Sequence, residues 1–250
     1  MDLQFTYNSY KTLVEAVRNN GYIISTYNTW QSVEHPAIFR HDIDNDIKKA
    51  LELANFEQTI GVKSTYFVLL TSDFYNVASR KSREELKQII SLGCDIGLHF
   101  DEVCYPKLME EASKGNCDLV IKTVCKEAEI LSELLDYKVQ SVSYHRPSQA
   151  VLAAELDFPG LINSYGHTFF HEFKYISDSR RRWREPVLDI IKSKQFPRLH
   201  ILTHAFWYNE KEKDIKKSVS DFIKNGNINR WNTFRQNITD LESIVSREDI

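Results

Sequence analysis

The sequence predicts an α/β fold in which a mostly parallel sheet of seven strands curls into a closed or nearly closed barrel. Three observations carry that reading. Short apolar or β-branched runs alternate with longer amphipathic ones, the pattern of βα units. A chain of 250 residues lies in the range where barrels and doubly wound sheets form one domain. Polar, metal-competent side chains stand at the ends of the apolar runs, where such sheets collect their chemistry.

The strands in order are "AIFRH" (37 to 41), "STYFVLL" (64 to 70), "CDIGLH" (94 to 99), "SVSYH" (141 to 145), "LINSY" (161 to 165), "KYIS" (174 to 177) and "LHILTH" (199 to 204). Helical patterns lie between them: "DIKKALELANFEQTIG", "SREELKQIISLG", "NCDLVIKTVCKEAEILSELLD" and "EPVLDIIKSK". The first two stop at Gly61 and Gly93, where a left-handed residue past the helix end is expected. The motifs fall within 37–208, and 209–250 reads as a charged helical extension covering the outside of one domain spanning 1–250. No repeat, low-complexity tract or linker interrupts it.

With 42% hydrophobic, 27% charged and 12% aromatic residues, the composition excludes a disordered chain. A net charge of −3 gives no general attraction for nucleic acid or anionic lipid. No apolar run approaches the roughly 18 residues of a membrane span. The amino terminus lacks a basic region followed by an apolar core, so it does not read as a secretory signal. Cys94, Cys104, Cys117 and Cys125 form no C-x-x-C pair and read as reduced thiols of a cytoplasmic protein.

The densest charge is "FRHDIDND", residues 39 to 46. Along an extended strand Arg40, Asp42 and Asp44 share a face, the two carboxylates about 7 Å apart. Carboxylates so placed can divide labour, one binding a divalent cation and the other taking a proton from a bound water. They also suit a helix cap, Asp46 most readily. In "GCDIGLHFDE", His99 ends a strand with Asp101 two residues on, so both can face one ion. In "SYHRPSQ", Pro147 keeps Arg146 extended, to hold a carboxylate, bind an anionic substrate or make a surface ion pair. His145 beside it reads as a ligand or as a satisfied neighbour. In "LTHAFWY", His204 is of the general-acid type, and Phe206, Trp207 and Tyr208 suit stacking on a sugar or packing in the core. "SDSRRRWRE" supplies Asp178 and an arginine run, either a solvated face or a clamp for a phosphate or uronate. His35, His167, His171 and His200 read as structural.

Taken in order, these strand ends resemble the polysaccharide deacetylase family, metal-dependent carbohydrate esterases that remove acetyl groups from N-acetylated sugars. The resemblance runs from "AIFRHDID" to "ILTHAFWY" and implies a distorted (β/α)7 barrel in a single domain. "HDID" resembles the family's aspartate pair, with one extra residue between the acids, and implies Asp42 as catalytic base and Asp44 as metal ligand. "DIGLH" resembles the second motif and implies His99 as ligand. The family's second histidine is replaced by Val103, so Asp101, Glu102 or His145 completes the ligand set, with Asp101 taken as the ligand. "HRPS" implies that Arg146 orients the base, "SDS" resembles the acidic fourth motif with Asp178, and "LTHAFW" implies His204 as general acid.

The resemblance further implies a divalent metal, zinc, and an N-acetylated sugar or sugar precursor of surface-polysaccharide biosynthesis, nucleotide- or lipid-linked. Arg40, Ser148, Trp207 and Tyr208 are assigned to the substrate, with a backbone N–H at Ser148 helping to hold the oxyanion. Two other readings stay open. "DID" also matches the D-x-D pair with which glycosyltransferases hold a metal–nucleotide sugar. The missing histidine fits a carbohydrate-binding relative that has lost its metal.

Overall fold

The computed structural model describes residues 3–246. Eight strands form one sheet: β1 (Ile23–Ser25), β2 (Pro36–Ile43), β3 (Thr65–Val68), β4 (Asp95–Phe100), β5 (Ser141–Tyr144), β6 (Ile162–Asn163), β7 (Lys174–Ser177) and β8 (Leu199–Thr203). Each of the seven runs expected from the sequence overlaps one of them, although β2 and β4 run past the expected ends; β1, at three residues, is too short to show a period. The order along the sheet is β6-β5-β4-β3-β2-β8-β7, every pair parallel, with β1 added beside β2. β8 pairs with β2 from Ala37 to His41, β1 with Pro36 to Ile38, and β3 with Arg40 to Ile43. A strand has two edges, so β1 and β3 follow one another along the edge opposite β8. Among the described residues no ladder joins β6 to β7, and the curled sheet is a distorted (β/α)7 barrel.

α1 (Tyr7–Asn19) precedes the sheet, and the helices between its strands are α2 (Ile47–Thr59), α3 (Arg80–Ser91), α4 (Pro106–Ser113), α5 (Asp118–Leu135), α6 (Gln149–Ala153) and α7 (Val187–Ser193). Asp46 caps α2, its carboxylate accepting from the Lys48 N–H at 2.9 Å, which is the role expected for it. Gly61 and Gly93 take φ of +66° and +86° just past α2 and α3.

Alternation along β2 sets up everything else, since all eight of its residues are buried but on two different faces. Phe39 and Ile43 join the large core under the helices, with Leu53, Tyr66, Leu98 and Ile201. Ile38 instead packs in the lumen with Tyr27, Phe67, Phe169 and Phe173. His41 takes the helix side, where Nε2 lies 3.0 Å from Glu57 Oε1 and Nδ1 lies 2.6 Å from Thr203 Oγ1. Glu57 also accepts from Tyr10, Ser64 and Tyr66 hydroxyls at 2.5, 2.6 and 2.7 Å, so this buried acid is fully satisfied by the core around it. Arg40 and Asp42, of the other parity, face the lumen. Gly97 is required where Phe67 crosses β4, because a Cβ there would stand 2.4 Å from the Phe67 ring.

By its contacts the chain forms two compact units, one running to Glu210 and one from Lys211. In the second, α8 (Ile215–Asn237) is capped by Asp214, which accepts from the Lys217 N–H at 2.6 Å, and α9 (Leu241–Ile244) follows. No helix among the described residues is long and apolar enough to cross a membrane.

Candidate metal and acid–base site

The carboxyl ends of β2, β4, β5, β7 and β8 bring Asp42, Asp44, His99, His145, Asp178 and His204 together. Asp42 is the last lumen-facing residue of β2, and its Oδ2 accepts from Arg40 Nη2 at 2.8 Å. Arg40 is fully buried. Its Nη1 donates to Ser164 Oγ at 2.9 Å, and the guanidinium lies between the rings of Phe67 and Tyr165, 5.1 and 5.0 Å from their centroids. Burial disfavours the charge of Asp42, while Arg40 first, then His99 and His204, hold its carboxyl below the ordinary carboxylate range. Asp42 Oδ1 is buried and accepts no hydrogen bond.

Asp44 lies just past the end of β2. Its Oδ1 stands 3.3 Å from His99 Nε2 and 3.2 Å from His145 Nδ1, and its Oδ2 stands 3.7 Å from His204 Nε2. One ligand atom each from Asp44, His99 and His145 lies within 4.8 Å of the others. The His99 ring is fixed from behind, its Nδ1 2.7 Å from Ser143 Oγ, which leaves Nε2 facing the carboxylates. Asp44 Oδ1 is buried without a hydrogen bond, although two imidazole nitrogens crowd it. A carboxylate oxygen and two ring lone pairs so arranged fit a shared cation. Two imidazoles and one carboxylate form a ligand set found in zinc hydrolases, with a position left for water.

His204 is held by Asp178, which is fully buried at the end of β7. Asp178 Oδ1 lies 2.6 Å from His204 Nδ1, and Oδ2 accepts from the His204 backbone N–H at 3.1 Å. Burial works against the imidazolium, but the Asp178 carboxylate prevails and raises the His204 pKa to about 9. A charged histidine with Nε2 turned toward Asp44 is a proton donor at neutral pH.

Several sequence assignments move. Arg146 does not reach Asp42: it forms a two-point ion pair with Asp101 through Nε and Nη2, and Arg40 takes the place beside Asp42. Asp101, bound by Arg146 and by the Val103 N–H at 3.3 Å, is outside the converging ligand atoms, and His145 supplies the third. Arg40, assigned to the substrate from the sequence, is fully buried and bonded to Asp42 and Ser164. The Ser148 N–H donates to Glu102 Oε1, so the backbone donor expected to hold the oxyanion is already taken, while the Ser148 hydroxyl oxygen caps α6 by accepting from the Val151 N–H. Tyr208 is buried in the core, its hydroxyl 3.4 Å from Asp178 Oδ2, whereas Trp207 is half-buried and keeps a face toward solvent. Val103 is 42% exposed.

The missed device is Arg40. Its signal was present, since Arg40 and Asp42 share a face of one strand, but the resemblance drew the orienting role to Arg146.

No protein-family model matches the sequence. No curated protein matches it. Among solved structures, the chain is similar to the Streptococcus pyogenes deacetylase PplD in complex with acetate, with 10% sequence identity and a TM-score of 0.45, over 82% of this chain and 84% of that one.

Proposed function

We propose that the protein is a metal-dependent hydrolase that removes an acyl group, acetyl by resemblance, from an N-acylated sugar or sugar precursor. One observation carries this reading: Asp44, His99 and His145 converge beside a carboxylate held by an arginine and a histidine held by a carboxylate. Asp44, His99 and His145 would hold a divalent ion, zinc on the ligand set, which when bound polarises the acyl carbonyl and makes water more acidic.

Asp42 acts as base through Oδ1, the oxygen that Arg40 leaves free. His204 carries the proton for the departing amine on Nε2, and Asp178 keeps that ring charged and oriented. The exposed face of Trp207 provides a surface for the sugar ring. The four free cysteines support placement in a reducing compartment. A D-x-D metal pair is disfavoured by the arginine bound to Asp42, which already balances its charge.

The test is acetate release from N-acetylated sugars by the zinc-loaded protein, with Asp42→Asn as control. Release by the wild type and its loss in the variant support the reading. Undiminished release in Asp42→Asn removes Asp42 as base.

A further inference from the structure

A cavity of about 640 Å³ lies where the segment ahead of α1 meets the start of α7, separate from the residues of the acid–base site. Its size falls within the roughly 300–1,000 Å³ typical of small-molecule sites. Leu3, Phe5 and Val187 give it an apolar floor. Its charged lining is mostly cationic. Arg182, Arg184 and Lys192 line it as cations, and Trp183, also in the lining, has a buried Nε1–H with no acceptor. Of the two acids in its wall, Glu185 is taken by Lys174 at 2.6 Å, which leaves Asp189 against three cations. An excess of cations and an unpaired indole N–H over an apolar floor complement a ligand that is anionic, rich in acceptors and partly apolar.

The cavity is built on the segment that leaves β7 directly after Asp178. The Arg182 N–H donates back to the Asp178 carbonyl at 3.1 Å. Between them Arg180 and Arg181 take φ of 62° and 55°, two successive left-handed residues without a glycine. The arginines that follow are thus tied to the residue that holds His204.

We propose that this cavity binds an organic diphosphate, the carrier end of an activated sugar. The phosphate oxygens accept from Arg182, Arg184 and Lys192, and the organic part lies on Phe5, Val187 and Trp183. The carrier role rests on the hydrolase reading above; the binding of a diphosphate does not.

The experiment is isothermal titration of the full-length, zinc-supplemented protein with uridine diphosphate, geranyl diphosphate and inorganic pyrophosphate. We expect at least one organic diphosphate to bind more tightly than pyrophosphate. In Arg182→Ala/Arg184→Ala its affinity falls about tenfold or more, and in Arg182→Lys/Arg184→Lys part of it returns. Tighter binding of uridine diphosphate identifies a nucleotide carrier, and of geranyl diphosphate a prenyl carrier; both support the proposal. No binding by any of the three, equal binding of pyrophosphate, or affinity unchanged in the double alanine variant overturns it. Asp44→Ala separates the two readings, since it should lose metal and keep diphosphate binding. If it keeps its metal, the hydrolase reading fails while the cavity assignment stands.

Discussion

Arg40 and Asp42 sit two residues apart on one strand, and the guanidinium of the first reaches along the strand to bond the carboxylate of the second at 2.8 Å, both buried. A pair this close in sequence is formed as soon as β2 is extended, and the aromatic rings on either side of Arg40 then exclude water from it. Removing one partner leaves the other as an uncompensated buried charge.

Arg40→Met is therefore expected to cost about 3–5 kcal/mol of stability, and Arg40→Lys less, because an ammonium keeps the charge but loses the second bond to Ser164. Denaturant unfolding with far-ultraviolet circular dichroism measures both. A loss under about 1 kcal/mol for Arg40→Met would show that the pair contributes little.

His145→Ala, His99→Ala and Asp44→Ala are each expected to abolish stoichiometric zinc, while Asp101→Asn retains it. Elemental analysis after zinc supplementation and gel filtration reads this directly. Metal kept in His145→Ala and lost in Asp101→Asn would return the third ligand to Asp101.

The His204 pKa, raised to about 9 by Asp178 against burial, links pH to stability in the metal-free protein. Between its ordinary value near 6.5 and about 9 the folded state binds more protons than the unfolded one, so stability falls as pH rises through that window. The contribution is full below about pH 6.5 and on the order of 3 kcal/mol. In Asp178→Asn that slope should disappear. Proton titration of His204 by NMR measures the shift itself, and a midpoint near 6.5 in the wild type would refute it.

Gly97→Ala places a methyl 2.4 Å from a Phe67 ring carbon and 2.6 Å from Ser141 Oγ. Overpacking of this kind costs about 1–3 kcal/mol, and Phe67→Leu in the same background should return part of it. Thermal melts of the single and double variants test the coupling; additive losses would mean that the two residues do not meet.

The strands were legible because seven of the runs carry enough apolar or β-branched residues to show where a strand lies, though not where it ends, and strand-end chemistry marked the face of the site. α1, α4 and α6 were not assigned from the sequence. The third member of the Asp44–His99 cluster was readable in part. His99 stands opposite Ser143, so alternation puts His145 on the same face one step further toward the open end. Sequence spacing alone could not choose among Asp101, Glu102 and His145, because the choice depends on Arg146 folding back onto Asp101. The role of Arg40 was hidden for the same reason: which arginine meets Asp42 is decided by Ser164 and Tyr165, more than 120 residues away.

The missing ladder between β6 and β7 has a consequence for self-association. Among the described residues the two strands at this seam each keep one edge without a ladder, and such edges are templates for adding a strand from another molecule. Here both are poor templates: β6 offers only Ile162 and Asn163, and β7 begins with Lys174, whose ammonium is pinned to Glu185. An incoming strand would find two residues to pair with on one side and a charge at the entrance on the other. The barrel can leave its seam without backbone hydrogen bonds and still resist growing into a larger sheet.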